Sequence, residues 1–288
     1  MRKQLSAIID FLIHTNLFIA SAAAALTYET VHLFELEIHS PWIYVLVFFA
    51  TLSEYNLHRL LTLLNSKEAL LMDKHQWLRE NKRFFYALMV FSLLGLAFAL
   101  FFVHTETLKG LAPLGLLTLL YTIPFIRYKK RVYKLRDIPV FKTLVIALIW
   151  SISTLILPFR EAHQEFSEYL MLLERTLFVF AICIPFDVRD MEADRSSGLK
   201  TLPLLVGEDK SVNIAVALMY LCTPFIFIQF IPMSQIGAMI GLLINTALVI
   251  YFLKSRKWRY TKHYHYGILD GTMISHAVLA VIGNILYP

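Results

Sequence analysis

Too few charged side chains are present to solvate a water-soluble globule. Asp, Glu, Lys and Arg make up 17% of the 288 residues, against about 25% in soluble domains. With 58% hydrophobic residues and a mean hydropathy of +0.61, much of the outer surface must be solvated by a bilayer instead. Cysteine is nearly missing. Cys183 and Cys222 both fall in apolar stretches, which excludes a disulfide framework and a cysteine-rich metal site. Low-complexity segments and short-period repeats are missing too. No ten-residue segments alternate as a membrane β-barrel requires, and no paired Gly/Pro interruptions mark two halves of a transporter.

What is present is a series of apolar runs. At about 20 apolar residues per crossing, the runs predict nine transmembrane helices at about 6–27, 41–63, 84–103, 110–127, 138–158, 168–186, 211–231, 235–253 and 267–286. The chain therefore reads as an all-α, polytopic, single transmembrane domain over residues 1–288. The N-terminal run ends in Ser21 and Ala22–Ala25, like a signal peptide, but Asp10, His14 and Asn16 interrupt it; an uncleaved first span is the expectation. Connections alternate in charge. Glu29, Glu35, Glu37, Glu161, Glu165 and Glu168 mark one side. The loops at about 64–83, 127–137, 187–210 and 254–266, with Arg2 and Lys3, hold most of the 27 Lys and Arg. The positive-inside rule makes these loops and the N-terminus cytoplasmic and puts the C-terminus outside, in an integral, multi-pass inner (plasma) membrane protein. The net charge of +6 then serves topology, anionic headgroups or phosphorylated substrates, and not nucleic acid.

The strongest chemical signal is Asp187-Val188-Arg189-Asp190-Met191-Glu192-Ala193-Asp194-Arg195, below the sixth span. If the helix continues past Pro185, Asp187, Asp190 and Asp194 share one face. Stacked carboxylates call for a cation, and hard oxygen donors of this kind suit Mg²⁺ together with phosphate oxygens. A solvated helix end paired locally with Arg189 and Arg195 is the plainer reading. Gly198 and Pro203 predict a helix stop and a turn.

These residues, with Asp194-Arg-Ser-Ser-Gly-Leu-Lys-Thr-Leu-Pro203, resemble the second aspartate-rich motif of the UbiA superfamily of intramembrane prenyltransferases. Tyr121-Thr-Ile-Pro-Phe-Ile-Arg-Tyr-Lys-Lys130 and Phe141–Trp150 are similar to that family's region between its fourth and fifth helices. The resemblance implies a UbiA-like helical bundle. It also implies a membrane transferase that moves an isoprenyl group from a prenyl diphosphate donor to a hydrophobic aromatic or lipid acceptor, as in quinone biosynthesis. Mg²⁺ would be held by Asp187, Asp190 and Asp194. Arg127, Lys129, Lys130 and Lys142 would contact the diphosphate; Lys142 stands out because it lies inside the fifth span, where charge is expensive.

The first motif of that family reads Asn-Asp-x-x-Asp-x-x-x-Asp. Here Asn56 matches its asparagine, while the aspartate positions fall on Leu57, Leu60 and Leu64. Three accounts are open. Arg59 contacts the diphosphate in place of one Mg²⁺, so that Asn56, Arg59, Asp190 and Asp194 are the catalytic set. Glu54 and His58, one turn apart, form a different metal site. Or the cluster is a buried ion pair, and the protein is a non-catalytic UbiA-like membrane protein binding isoprenoid or lipid phosphate. Asp10, His14, Asn16, Asn245, Asp270 and His276 are further intramembrane polar residues, read as interhelical hydrogen bonds or an acceptor pocket.

Overall fold

The computed structural model describes residues 2–65, 77, 80–122, 126–128, 131–133, 141–165, 168–196 and 198–287. The chain runs through α1 (Arg2–His14), α2 (Leu17–Leu33), α3 (Trp42–Asn65), α4 (Lys82–Leu100) and α5 (Thr105–Thr122). A hairpin of β1 (Ile126–Tyr128) and β2 (Arg131–Tyr133) follows. Then come α6 (Phe141–Glu161), α7 (Tyr169–Arg189), α8 (Met191–Ser196) and α9 (Leu202–Val206). The chain ends with α10 (Glu208–Phe230), α11 (Ile236–Lys254), α12 (Arg256–Arg259) and α13 (Tyr264–Leu286). Among the described residues the hairpin is the only strand pair, so the fold is an all-α membrane bundle as expected.

Six described helices are long and apolar enough to cross a membrane: α4, α6, α7, α10, α11 and α13; α1 with α2 makes a seventh if the bent pair is one span. The two other expected spans are helical, as α3 and α5, but fall outside that set. The first span differs from expectation. Instead of one helix over 6–27, the chain bends by 78° between α1 and α2. Asn16 takes the left-handed conformation at φ 62°, which asparagine tolerates better than most residues. The Thr15 hydroxyl donates back to the carbonyls of Phe11 and Leu12, offering the backbone an alternative to a continued helix. The crossing segment thus starts later, and Glu29, expected in an outer loop, is fully buried inside α2. The fourth run, expected to reach 127, is helical as far as Thr122 among the described residues, and Ile126–Tyr128 is a strand.

Six elements close a ring: α2 packs on α13, α13 on α11, α11 on α10, α10 on α7 and α7 on α6. A π turn at Ile152–Ile156 brings α6 back to α2. Helix α3 lies against α2, and α4 against α3 with Val90, Phe91, Leu94 and Phe98 turned outward. Without a hydrophobic drive inside lipid, close helix approach depends on small side chains. At the α11–α13 crossing, a Cβ on Gly237 would stand 1.9 Å from the Gly283 carbonyl oxygen, and one on Gly241 would stand 2.1 Å from that of Leu279. Gly241→Ala is therefore expected to push the two backbones apart and destabilise the protein by about 1–3 kcal/mol or more. A thermal melt in detergent checks this; an unchanged melt would mean the crossing is not tight.

Candidate active site at the aspartate end of the bundle

Helix α7 continues through Pro185 as far as Arg189, and Asp190 turns the chain at φ −91°, ψ 7°. Helix α8 follows, with the Asp194 N–H donating to the Asp190 carbonyl at 2.9 Å across the break. Asp187 and Asp194 converge on Lys142 of α6. Lys142 Nζ lies 2.9 Å from Asp187 Oδ1 and 3.7 Å from Asp194 Oδ2, and the Thr143 hydroxyl donates to Asp187 Oδ2 at 2.5 Å. Asp190 faces elsewhere. Arg189 grips it with two parallel hydrogen bonds, Nε to Oδ1 at 2.7 Å and Nη2 to Oδ2 at 2.9 Å. The guanidinium also lies over the Tyr266 ring of α13, 4.9 Å from its centroid.

Lys142, expected to contact a diphosphate, pairs here with the two aspartates, which accounts for a lysine at this depth. The two aspartates are not equally satisfied. Both oxygens of Asp187 have donors, whereas Asp194 Oδ2 is buried without a hydrogen bond. Burial, with the Asp187 and Asp190 charges nearby, pushes the Asp194 carboxyl above its usual range against the pull of Lys142. A buried acceptor in this condition favours a cation.

Asn56 and Arg59 of α3 are engaged by the α1–α2 corner. Asn16 donates to Asn56 Oδ1 at 2.9 Å, and Asn56 donates to the Thr15 carbonyl at 3.4 Å. The Arg59 guanidinium donates to the His14 carbonyl and, at 2.7 Å, to Asn16 Oδ1. Arg59 is buried, yet no carboxylate pairs with it among the described residues. Tyr266 lies within electrostatic reach of it. Tyr266 and Asp270 of α13, Tyr55 of α3 and Asn16 line a narrow cleft of about 10 Å³ between these helices. The Trp150 indole of α6 donates to the Tyr55 hydroxyl at 3.2 Å. The aspartates, Arg189 and Arg59 thus surround one region at the same end of the ring.

Of the other expected contacts, Arg127 lies in β1 opposite Val132, and Lys129 and Lys130 lie outside the described residues. Glu54 and His58 are half-buried, and each has a partner. Among the described residues no three carboxylates, imidazoles or thiolates converge as metal ligands would. Asn245 accepts from Ser275 at 2.5 Å, an interhelical bond of the expected kind.

One cluster escaped the sequence reading. Glu29 of α2, Glu174 and Arg175 of α7 and His276 of α13 meet deep in the ring, each at most 2% exposed. Arg175 Nη2 stands 3.3 Å from Glu29 Oε2, and His276 reaches Glu29 at 3.0 Å and Glu174 at 3.5 Å. Arg175 Nη1 also donates to the Thr30 hydroxyl at 2.7 Å and to the Thr154 carbonyl at 3.3 Å. That carbonyl belongs to the π turn of α6. Such a turn breaks the regular ladder and leaves room for a partner on another helix. The adjacent Glu174-Arg175 inside an apolar run was the available signal.

The comparisons with known proteins agree with this architecture. No curated protein matches the chain. Solved structures share its fold at low identity. A digeranylgeranylglyceryl phosphate synthase in membranes matches with a TM-score of 0.57 and 20% identity, over 99% of this chain and 100% of that one. A UbiA homologue from Archaeoglobus fulgidus gives a TM-score of 0.59 at 14% identity, over 94% of this chain and 99% of that one. One from Aeropyrum pernix K1 gives 0.55 at 14%, over 96% and 98%. The sequence pattern of the UbiA prenyltransferase family matches residues 78–265, a stretch that contains Lys142, Thr143 and all three aspartates. With that match over well more than half its length, the chain belongs to the UbiA prenyltransferase family.

Proposed function

We propose that this chain is a membrane prenyltransferase that takes an isoprenyl group from a prenyl diphosphate and transfers it to a hydrophobic aromatic or lipid acceptor. The observation that carries the reading is the Asp187–Lys142–Asp194 arrangement, whose buried Asp194 oxygen lacks a hydrogen bond. The Archaeoglobus fulgidus homologue has been solved with DMAPP and Mg²⁺ and with GPP and Mg²⁺, which supports the same donor class here. The residues fit one Mg²⁺: Asp194 Oδ2 has no hydrogen bond and would exchange its 3.7 Å pairing with Lys142 for the metal, Asp190 would join it on release from Arg189, and Mg²⁺ needs only one or two carboxylates when phosphate oxygens and water complete its shell. When bound, Mg²⁺ offsets charge on the diphosphate leaving group.

The chain's own residues supply the rest. Arg59 replaces the cation that the first motif would hold, since a guanidinium fits phosphate oxygens in a fork. Arg189 is a second candidate, because it would be freed as Asp190 turns to the cation. In the reaction the C1–O bond of the donor breaks and its electron pair leaves with diphosphate. The acceptor then bonds to C1 and gives up a proton. Tyr55 and Tyr266 would flank the allylic cation and help to shield it from water. We place this end of the bundle in the cytoplasm, from the basic loops, with nine crossings in all.

A second reading, isoprenoid or lipid-phosphate binding without turnover, is favoured by one observation: α3 has Leu57 and Leu60 where the family places aspartates. The test is to offer the reconstituted protein geranyl, farnesyl and geranylgeranyl diphosphate with Mg²⁺ and a panel of aromatic and lipid acceptors. A prenylated product establishes the transferase. Tight donor binding with no product for any acceptor supports the second reading.

A further inference from the structure

Helix α1 packs on α2 and on the start of α13. It meets α2 at 78°, so when α2 crosses the bilayer α1 runs nearly along its surface. Its contacts all lie at the aspartate end. Asp10 Oδ1 pairs with Lys262 Nζ at 3.0 Å and stands 3.5 Å from His263 Nε2. His14 packs on Trp77, and Ile13 lines the cleft beside Tyr55 and Tyr266. The polar side of α1 is therefore turned to the protein's mouth.

The opposite side is apolar and bare. Ile8 is 57% exposed and Phe11 42%, and they lie one turn apart on one side of the helix. That side continues into a surface that already faces lipid: the Phe11 ring sits 5.8 Å from Phe84 at the start of α4. Phe84, Tyr86 and Phe91 of α4 are exposed along the outside of the bundle. A bent, short, amphipathic helix with Arg2 and Lys3 in its first turn has the properties of an in-plane membrane helix.

We propose that α1 docks in the headgroup–acyl boundary of the leaflet at the aspartate end, with Ile8 and Phe11 inserted. The occupant of the apolar face is lipid, since Phe11 meets Phe84 and exposed apolar side chains continue from there along α4, a helix long and apolar enough to cross a membrane. The docked helix holds the corner whose His14 carbonyl and Asn16 side chain grip Arg59, and it keeps Ile13 over the cleft. The inference concerns α1 alone and stands whether or not the protein turns over a substrate.

Nitroxide labels at residues 6, 8 and 11, each on a Cys183→Ala/Cys222→Ala background in phosphatidylcholine/phosphatidylglycerol vesicles, test it. Ile8 and Phe11 are exposed, so the labels replace no core contact; the unsubstituted chain, whose Cys222 is buried, gives the labelling background. Labels at 8 and 11 are expected to collide severalfold more with oxygen, relative to a water-soluble nickel complex, than the label at Ser6. Ser6 lies one turn before Asp10 on the polar side. Equal, water-like accessibility at 6, 8 and 11 overturns docking. Protection from both quenchers at 8 and 11 overturns it as well, by showing protein rather than lipid on that face.

Discussion

Asp194→Asn is expected to lower diphosphate release by about 10²–10³-fold, the scale on which a positioned electrostatic group acts at a reacting centre. The substitution keeps the size of the side chain and removes the charge that the open, buried oxygen would present to a cation. Asp190→Asn is expected to cost less, because Arg189 already occupies both Asp190 oxygens. The acid limb of the rate follows from the same environment. Cation binding needs the Asp194 carboxylate, and burial beside Asp187 and Asp190 raises its protonation range. Activity should therefore fall, as pH is lowered, at a higher pH than an ordinary aspartate would give. A pH profile that turns down only in the ordinary aspartate range would remove Asp194 from this role.

Arg175→Leu is expected to destabilise the protein by about 3–5 kcal/mol, the cost of breaking a buried pair and leaving its partner charged. Glu29 and Glu174 would both remain in the ring with only His276 between them. The double substitution Glu29→Gln/Arg175→Met should recover part of the loss, since it removes both members of the pair. Melts in detergent distinguish the outcomes. An Arg175→Leu protein within about 0.5 kcal/mol of the parent, the range of ordinary surface changes, would mean that the cluster is not the tie between α2, α7 and α13 that its geometry describes.

The class of fold was legible because the bilayer imposes it: long apolar runs separated by basic loops admit few other solutions. The α1–α2 bend was less legible, since Asn16 in a left-handed conformation depends on Arg59 and Asn56 arriving from α3. For the same reason the hold of that corner on Asn56 and Arg59 could not be read in the sequence. At the aspartates, spacing put Asp187, Asp190 and Asp194 on one face if the helix continued; in the structure Asp187 and Asp194 both pair with Lys142, while Asp190 caps α7 and is held by Arg189. Lys142 stood out as an expensive charge inside a span, yet sequence alone offered no means of telling a ligand contact from an ion pair to Asp187. Glu29 was assigned to a loop by the shifted first span, which hid its partners; of the Glu29–Arg175–His276 cluster the sequence singled out His276 alone, as an interhelical or pocket group.

The most direct test of the central claim is diphosphate release from geranylgeranyl diphosphate by the purified, reconstituted protein, with and without Mg²⁺. The account predicts release that requires Mg²⁺ and is abolished in Asp187→Asn/Asp194→Asn. The same slow rate with Mg²⁺, with chelator and in the double variant would contradict it.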